Sequence, residues 1–152
     1  MGTSVVDLEV EAAPSILTAK DVMQSPAVAA TPLASLRDVA VQLVKNGFSG
    51  MPVAAEDGKV IGVVTESDIV RALIQGHRLE YLTARDALSS PPITVDAEAP
   101  IETVMEKLAE NRIMRVPVTN RGKLVGIISR RDVIRAILEP EFIAFGGFPT
   151  RW

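Results

Sequence analysis

Apolar residues return at helical spacing and then give way to short unbroken apolar runs, and this alternation occurs twice along the chain. After Ser35, a capping residue, Leu36, Val39, Ala40, Leu43 and Val44 mark one helical face that Asn46-Gly47 should end. Ile101, Val104, Met105, Leu108 and Ala109 draw the same stripe farther on, with Pro100 suited to its first turn. Each stripe leads to a Pro-Val run ("MPVAA", "VPV"), a turn ("EDGK", "NRGK") and a second apolar run ("VIGVV", "LVGII"). These read as hairpins of two short strands, each followed by a further helix.

The two halves are copies. "LTAKDVMQSP" (Leu17 to Pro26) lies over "LTARDALSSP" (Leu82 to Pro91), and Asn46, Pro52 and Val53 lie over Asn111, Pro117 and Val118 at the same offset. The turn is one residue shorter in the second copy, a change loops tolerate, so "GVVTESDIVRALI" from Gly62 matches "GIISRRDVIRAIL" from Gly126. Each copy predicts a lead-in segment, a helix, two strands and a helix. A unit of about sixty residues has little core of its own. The expected fold class is therefore α+β: two repeats, each a short sheet packed against two helices, joined face to face as one pseudo-twofold globule. Residues 15–78 and 79–139 are the expected repeats, preceded by an acidic flexible arm (1–14) and followed by an aromatic tail (140–152) beyond the breaker Pro140. That tail holds Phe142, Phe145, Phe148 and Trp152, expected to pack on the chain itself or on a dimer mate.

Composition narrows the function. At 152 residues and 47% hydrophobic content the chain should form a packed globule. With no cysteine, disulfides, thiolate nucleophiles and zinc clusters are excluded, and the single histidine, His77, leaves no imidazole pair for a metal or a serine triad. His77 follows Gly76 in a polar link and reads as a solvated residue. The net charge of −3 opposes nonspecific binding to nucleic acid, and no apolar run approaches the length of a membrane span. The start "MGTSVV" has Val6 where a myristoylation site needs a hydroxyl, and no signal-peptide core follows. A soluble, cytoplasmic protein is expected.

Gly62, Thr65 and Asp68 are copied as Gly126, Ser129 and Asp132. Each set lies where a buried strand hands over to a helix, whose free amides and dipole favour an anion. The carboxylate is suited to accept hydrogen bonds from both hydroxyls of a ribose. A hydroxyl followed three residues later by an acid also makes a capping box, with a purely local purpose. Arg71 and Arg135, three residues after each aspartate, read as partners of exposed ion pairs. The copies differ in charge: Arg115 replaces Gly50, and Arg130-Arg131 replace Glu66-Ser67. One side thus gains three cations and loses an acid near its strand-to-helix corner, and arginine matches phosphate in a two-pronged fashion.

Two copies of lead-in segment, helix, Pro-Val hairpin and the corner glycine, hydroxyl and aspartate resemble a tandem pair of CBS domains, from about Ile16 to about Leu138. The resemblance implies a regulatory module that senses adenosine compounds such as AMP, ADP, ATP or S-adenosylmethionine in two clefts. It places Asp132 on ribose, Ser129 and Arg115 on phosphate, Thr18 from the opposite lead-in segment, and Ile113, Met114 and Ile127 beside the base, with Arg131 also among the ligand-binding residues. The second cleft takes Asp68, Thr65, Thr83 and Ser49. Glu66 and the missing arginine make that second cleft the weaker for charged nucleotides. No cofactor is required, the nucleotide being a regulatory ligand. No general base, metal cage or nucleophile is visible, so the chain is read as non-catalytic. Expected partners are the nucleotide, a second copy docked through the helices, and a regulated protein, with no nucleic acid and no membrane. A ligand-free dimerisation scaffold, or a module that binds S-adenosylmethionine, is the alternative.

Overall fold

The computed structural model of the chain describes residues 17–144, and of 140–144 the backbone alone. In chain order the elements are α1 (Ala19–Val22), α2 (Leu36–Asn46), β1 (Gly50–Ala54), β2 (Val60–Thr65), α3 (Glu66–Ile74), a 3-10 turn (Leu79–Tyr81), α4 (Ala84–Ala87), β3 (Val95–Asp96), α5 (Ile101–Glu110), β4 (Arg115–Asn120), β5 (Lys123–Ser129) and α6 (Arg130–Ala144). The acidic arm and the tail residues Phe145, Phe148 and Trp152 lie outside the described residues, as does the side chain of Phe142. Among the described residues no helix is long and apolar enough to cross a membrane.

Local chemistry sets the helix ends. The Ser35 hydroxyl accepts the Asp38 amide at 3.0 Å to open α2, and Gly47, at φ 67, closes it by donating to the carbonyls of Leu43 and Val44. Pro100 stands at the N-cap of α5. The buried stripes are narrower than the sequence suggests. Leu36, Val39 and Leu43 are buried, as are Ile101, Val104 and Leu108, but Val44 is 84% exposed and Met105 and Ala109 face out. The i, i+3, i+7 residues point at the sheet, and those one step beyond fall at the edge of the arc. The break expected at Pro140 does not occur, since α6 runs on to Ala144. A proline forfeits one amide donor, but its fixed φ is itself helical.

Strands β1 and β2 form an antiparallel pair, as do β4 and β5, with β3 parallel to β4. The parallel bridge between Ala30 and Val53 repeats the Val95–Val118 pair of β3 and β4, so the two sheets have the same plan. Their completion crosses over. Gln24 exchanges backbone hydrogen bonds of 2.9 and 3.0 Å with Ile127 of β5, while Ser89 exchanges bonds of 3.2 and 2.9 Å with Val63 of β2. Each lead-in segment is thus bridged to the edge of the other copy's sheet.

The core follows the same crossing. Ala19 of α1 packs among Val95, Ile101, Val104, Leu108, Val116, Val118, Ile128 and Val133 of the second copy. Ala84 of α4 packs among Leu36, Val39, Leu43, Met51, Val53, Val64 and Ile69 of the first. There are two cores, and each repeat closes the other's. The corner glycines make this possible. A Cβ on Gly62 would stand 2.7 Å from both Leu88 Cδ1 and the Ser89 carbonyl oxygen, and one on Gly126 would overlap Met23 Sδ and lie 2.9 Å from the Gln24 carbonyl oxygen. Both glycines serve close approach by a lead-in segment.

Candidate functional site: a charged cleft between the repeats

At each strand-to-helix corner the donors are largely occupied. Thr65 donates to Asp68 Oδ2 through its amide at 2.8 Å and its hydroxyl at 3.0 Å, and its hydroxyl accepts the Asp68 amide. The Ser129 amide donates to Asp132 Oδ2 at 2.8 Å, and the Asp132 amide returns a bond to Ser129 Oγ at 3.1 Å. The capping box foreseen as the local reading is therefore present at both corners. The next amides, of Glu66 and Arg130, donate to the carbonyls of Ser49 and Met114. The amides of Ser67 and Arg131 follow in line, and both residues border cavities.

The remaining carboxylate oxygens differ between copies. Asp68 Oδ1 accepts Arg71 Nη1 at 3.0 Å, the ion pair expected from the spacing. Asp132 Oδ1 instead accepts Gln24 Nε2 at 2.8 Å, so the first lead-in segment is tied to the second corner by a side chain as well as by backbone. Both aspartates are buried, and neither borders the cavities.

Two cavities open along the seam. The smaller, about 420 Å³, has Ser49, Thr65, Glu66 and Ser67 on one side, Ser89 and Pro91 to Ile93, in and just after the second lead-in segment, at its edge, and Arg112 to Arg115 with Ile127 opposite. The larger, about 800 Å³, sets Gly47, Phe48, Ser49 and Glu66 against Met114, Arg115, Ser129, Arg130, Arg131 and Arg135. Ser49, Glu66, Met114 and Arg115 border both. The charge is uneven: four arginines against one glutamate in the larger, two against the same glutamate in the smaller.

Arg115 is the hinge of this arrangement. Its guanidinium carbon lies 4.0 Å from the centroid of the Phe48 ring, joining the start of β4 to the end of α2 in the other copy. Its Nε is buried with no hydrogen-bond partner. Burial pulls its pKa down, opposed by the Asp132 carboxylate, yet a guanidinium stays charged at neutral pH. A partly desolvated cation with an unused donor is chemically suited to an anion.

Of the residues expected from the sequence, Ser49, Thr65, Ile113, Met114, Arg115, Ile127, Ser129 and Arg131 reach the cleft. Ile113 and Ile127 line the cavity beside Thr65, not the one beside Ser129, where the equivalent of Ile113 is Phe48. Thr18 and Thr83 reach neither cavity. Their hydroxyls donate to Asp21 and Asp86 at 2.9 and 3.0 Å, completing the short capping boxes of α1 and α4. The amides of Thr18 and Thr83, which donate to the same carboxylates at 2.8 Å, and secondarily these hydroxyls hold the Asp21 and Asp86 carboxyls below the ordinary aspartate value. Sequence reasoning missed Gln24, Phe48 and Arg112. Gln24 aligns with Ser89 and Arg112 with Gly47, so a residue-by-residue comparison of the copies carried the signal.

The fold, the duplicated corner and the seam between copies define a paired-repeat module, and sequence comparison gives its family. The profile of the CBS domain matches residues 19–75 and 84–139. The chain belongs to the CBS domain family and carries two copies. It is 30% identical over 115 residues to YlbB of Bacillus subtilis, covering 75% of this chain and 78% of that one. The CBS domain protein PAE2072 from Pyrobaculum aerophilum, solved in complex with AMP, is 34% identical with a TM-score of 0.72, covering 82% of this chain and 97% of that one. The CBS domain pair of protein MJ0100, solved with 5′-methylthioadenosine and S-adenosyl-L-methionine, is 28% identical with a TM-score of 0.71, covering 82% and 98%. Some relatives are longer: the chain spans 63% of MK0525 from Methanopyrus kandleri and 23% of an L-aspartate semialdehyde sulfurtransferase from Methanocaldococcus jannaschii.

Proposed function

We infer that the chain is a non-catalytic regulatory module that binds an adenosine nucleotide (AMP, ADP or ATP) between its repeats, with the phosphate against the arginine side of the larger cavity. The observation that carries this reading is Arg115: a half-buried guanidinium whose Nε is buried and without a hydrogen-bond partner, backed by Phe48 and flanked by Arg130, Arg131 and Ser129 at the start of α6. The dipole of that helix adds to the arginines. The ribose goes to Asp132, whose Oδ1 is released when Gln24 lets go, and the AMP complex of PAE2072 supports the ligand class. The excess of cations makes this the tighter cavity for a charged nucleotide.

The family also supports S-adenosylmethionine as ligand, through the complex of MJ0100. A third reading, a ligand-free scaffold, is favoured by one observation: Arg71 and Gln24 already satisfy both aspartates. Under either reading the chain forms a homodimer through its helices, because Val44, Val70, Leu73 and Ile74 on α2 and α3 and Ile134 and Ile137 on α6 are more than half exposed.

Calorimetric titration with AMP, ATP and S-adenosylmethionine separates these readings. AMP and ATP should bind, with Arg115→Ala weakening both about tenfold to a hundredfold through loss of a charge-assisted hydrogen bond, while adenosine changes little. Binding of S-adenosylmethionine alone transfers the site to that ligand. No heat with any of the three at millimolar concentration leaves the scaffold.

A further inference from the structure

We propose that Arg112 is an anion-binding residue of the smaller cavity, reaching it from the second repeat and restoring the positive charge that the first repeat's own corner lacks. The inference rests on the nucleotide reading above and extends it to the second site.

The first observation is conformational. Both long helices close with the same turn: Asn46 and Asn111 bond back through their side chains to the carbonyls of Gln42 and Lys107, and the amides of Phe48 and Ile113 reach the carbonyls of Leu43 and Leu108. That turn needs one residue in the left-handed region. The first copy puts Gly47 there at φ 67, and the second puts Arg112 there at φ 53. A side chain in this conformation is strained, and glycine relieves the strain without altering the turn. The other left-handed non-glycine residue, Arg121 at φ 55, sits with Gly122 at φ 80 in a two-residue hairpin between Asn120 and Lys123, a turn that requires positive φ at both positions. For Arg112 the other copy shows that glycine serves.

The second observation is where the strained residue lies. Arg112 is exposed and borders the smaller cavity with Arg115, facing a rim that holds Glu66, Thr65 and Ser67. Glu66 cancels one cation. With Arg115 alone the cavity is balanced, and with Arg112 it has a positive surplus. Among the described residues Arg112 has neither an ion pair nor a side-chain hydrogen bond, so its charge is uncommitted. A cation past a helix C-terminus is mildly favourable whether or not a ligand arrives, but Gly47 ends α2 without one. Residues held in sparsely populated backbone regions cluster at ligand clamps and active sites.

The test is a titration of the full chain with AMP and with adenosine, followed by NMR at amides that report each cavity separately: Ser67, Ile93 and Ile113 for the smaller, Ser129 and Arg131 for the larger. In the wild type the first set should respond to AMP more tightly than to adenosine. In Arg112→Gly that preference should fall about threefold to tenfold at Ser67, Ile93 and Ile113 and stay unchanged at Ser129 and Arg131. Arg112→Lys should keep most of it. The glycine variant should also melt no earlier than the wild type, by about 2 °C later if the strain is fully relieved, so a loss of binding is not a loss of fold. An unchanged AMP preference at the first set in Arg112→Gly overturns the proposal. A wild type that responds only at Ser129 and Arg131 overturns it too, while the nucleotide reading stands. A wild type that responds nowhere defeats both.

Discussion

At the scale of single residues, the duplicated corner has two separate jobs. Thr65 with Asp68, and Ser129 with Asp132, close capping boxes, while Gly62 and Gly126 leave room for a passing segment. The glycine role is the sharper to test. Gly62→Ala sets a methyl group against the Ser89 carbonyl and Leu88, and since a backbone atom must move, the chain should lose about 1 to 3 kcal/mol. Urea denaturation measures it, and a wild-type midpoint contradicts the close-approach account. The repeated Gly, hydroxyl and Asp were legible in the sequence as a unit, and so was the surplus of arginine in the second copy. The split of labour was not, because what Gly62 touches lies in another part of the chain. The local bonds of Thr18 and Thr83 were not legible for a related reason. A hydroxyl ahead of an acid fits a ribose pocket and a short cap equally well, and only the fold shows that these two are away from the cleft.

Among the elements, the lead-in segments do most to set the architecture. The helices and hairpins were legible because periods of 3.6 and 2 are local properties, and the caps at Ser35 and Gly47 lie where the residue types indicate. Which sheet a lead-in segment joins is a long-range choice between two nearly identical surfaces, and periodicity is silent on it. The crossing gives Gln24 its place. It bonds a buried carboxylate that the nucleotide reading assigns to ribose, so ligand and side chain compete for the same oxygen. Gln24→Ala should therefore lower stability by about 1.5 to 3 kcal/mol, the worth of a hydrogen bond to a charged group, and at the same time tighten AMP binding severalfold. Paired melting and calorimetry on the variant check this. If stability and affinity fall together, Gln24 supports the ligand instead of competing with it.

For the whole molecule, the crossing means that neither repeat can be completed alone: Ala19 and Ala84 each sit in the other copy's core. The seam between the cores is also the place where the copies have diverged, with Arg115, Arg130 and Arg131 on one side and Glu66 on the other. A symmetric frame thus holds a cleft of asymmetric charge, and under the nucleotide reading that asymmetry should favour ligands carrying phosphate. The most direct test is a crystal structure of the full chain grown with saturating AMP. The phosphate should lie beside Arg115 and the Arg131 amide, with the ribose hydroxyls on Asp132 and the Gln24 side chain turned away. Cavities without nucleotide, with Gln24 still bonded to Asp132, would contradict the nucleotide reading.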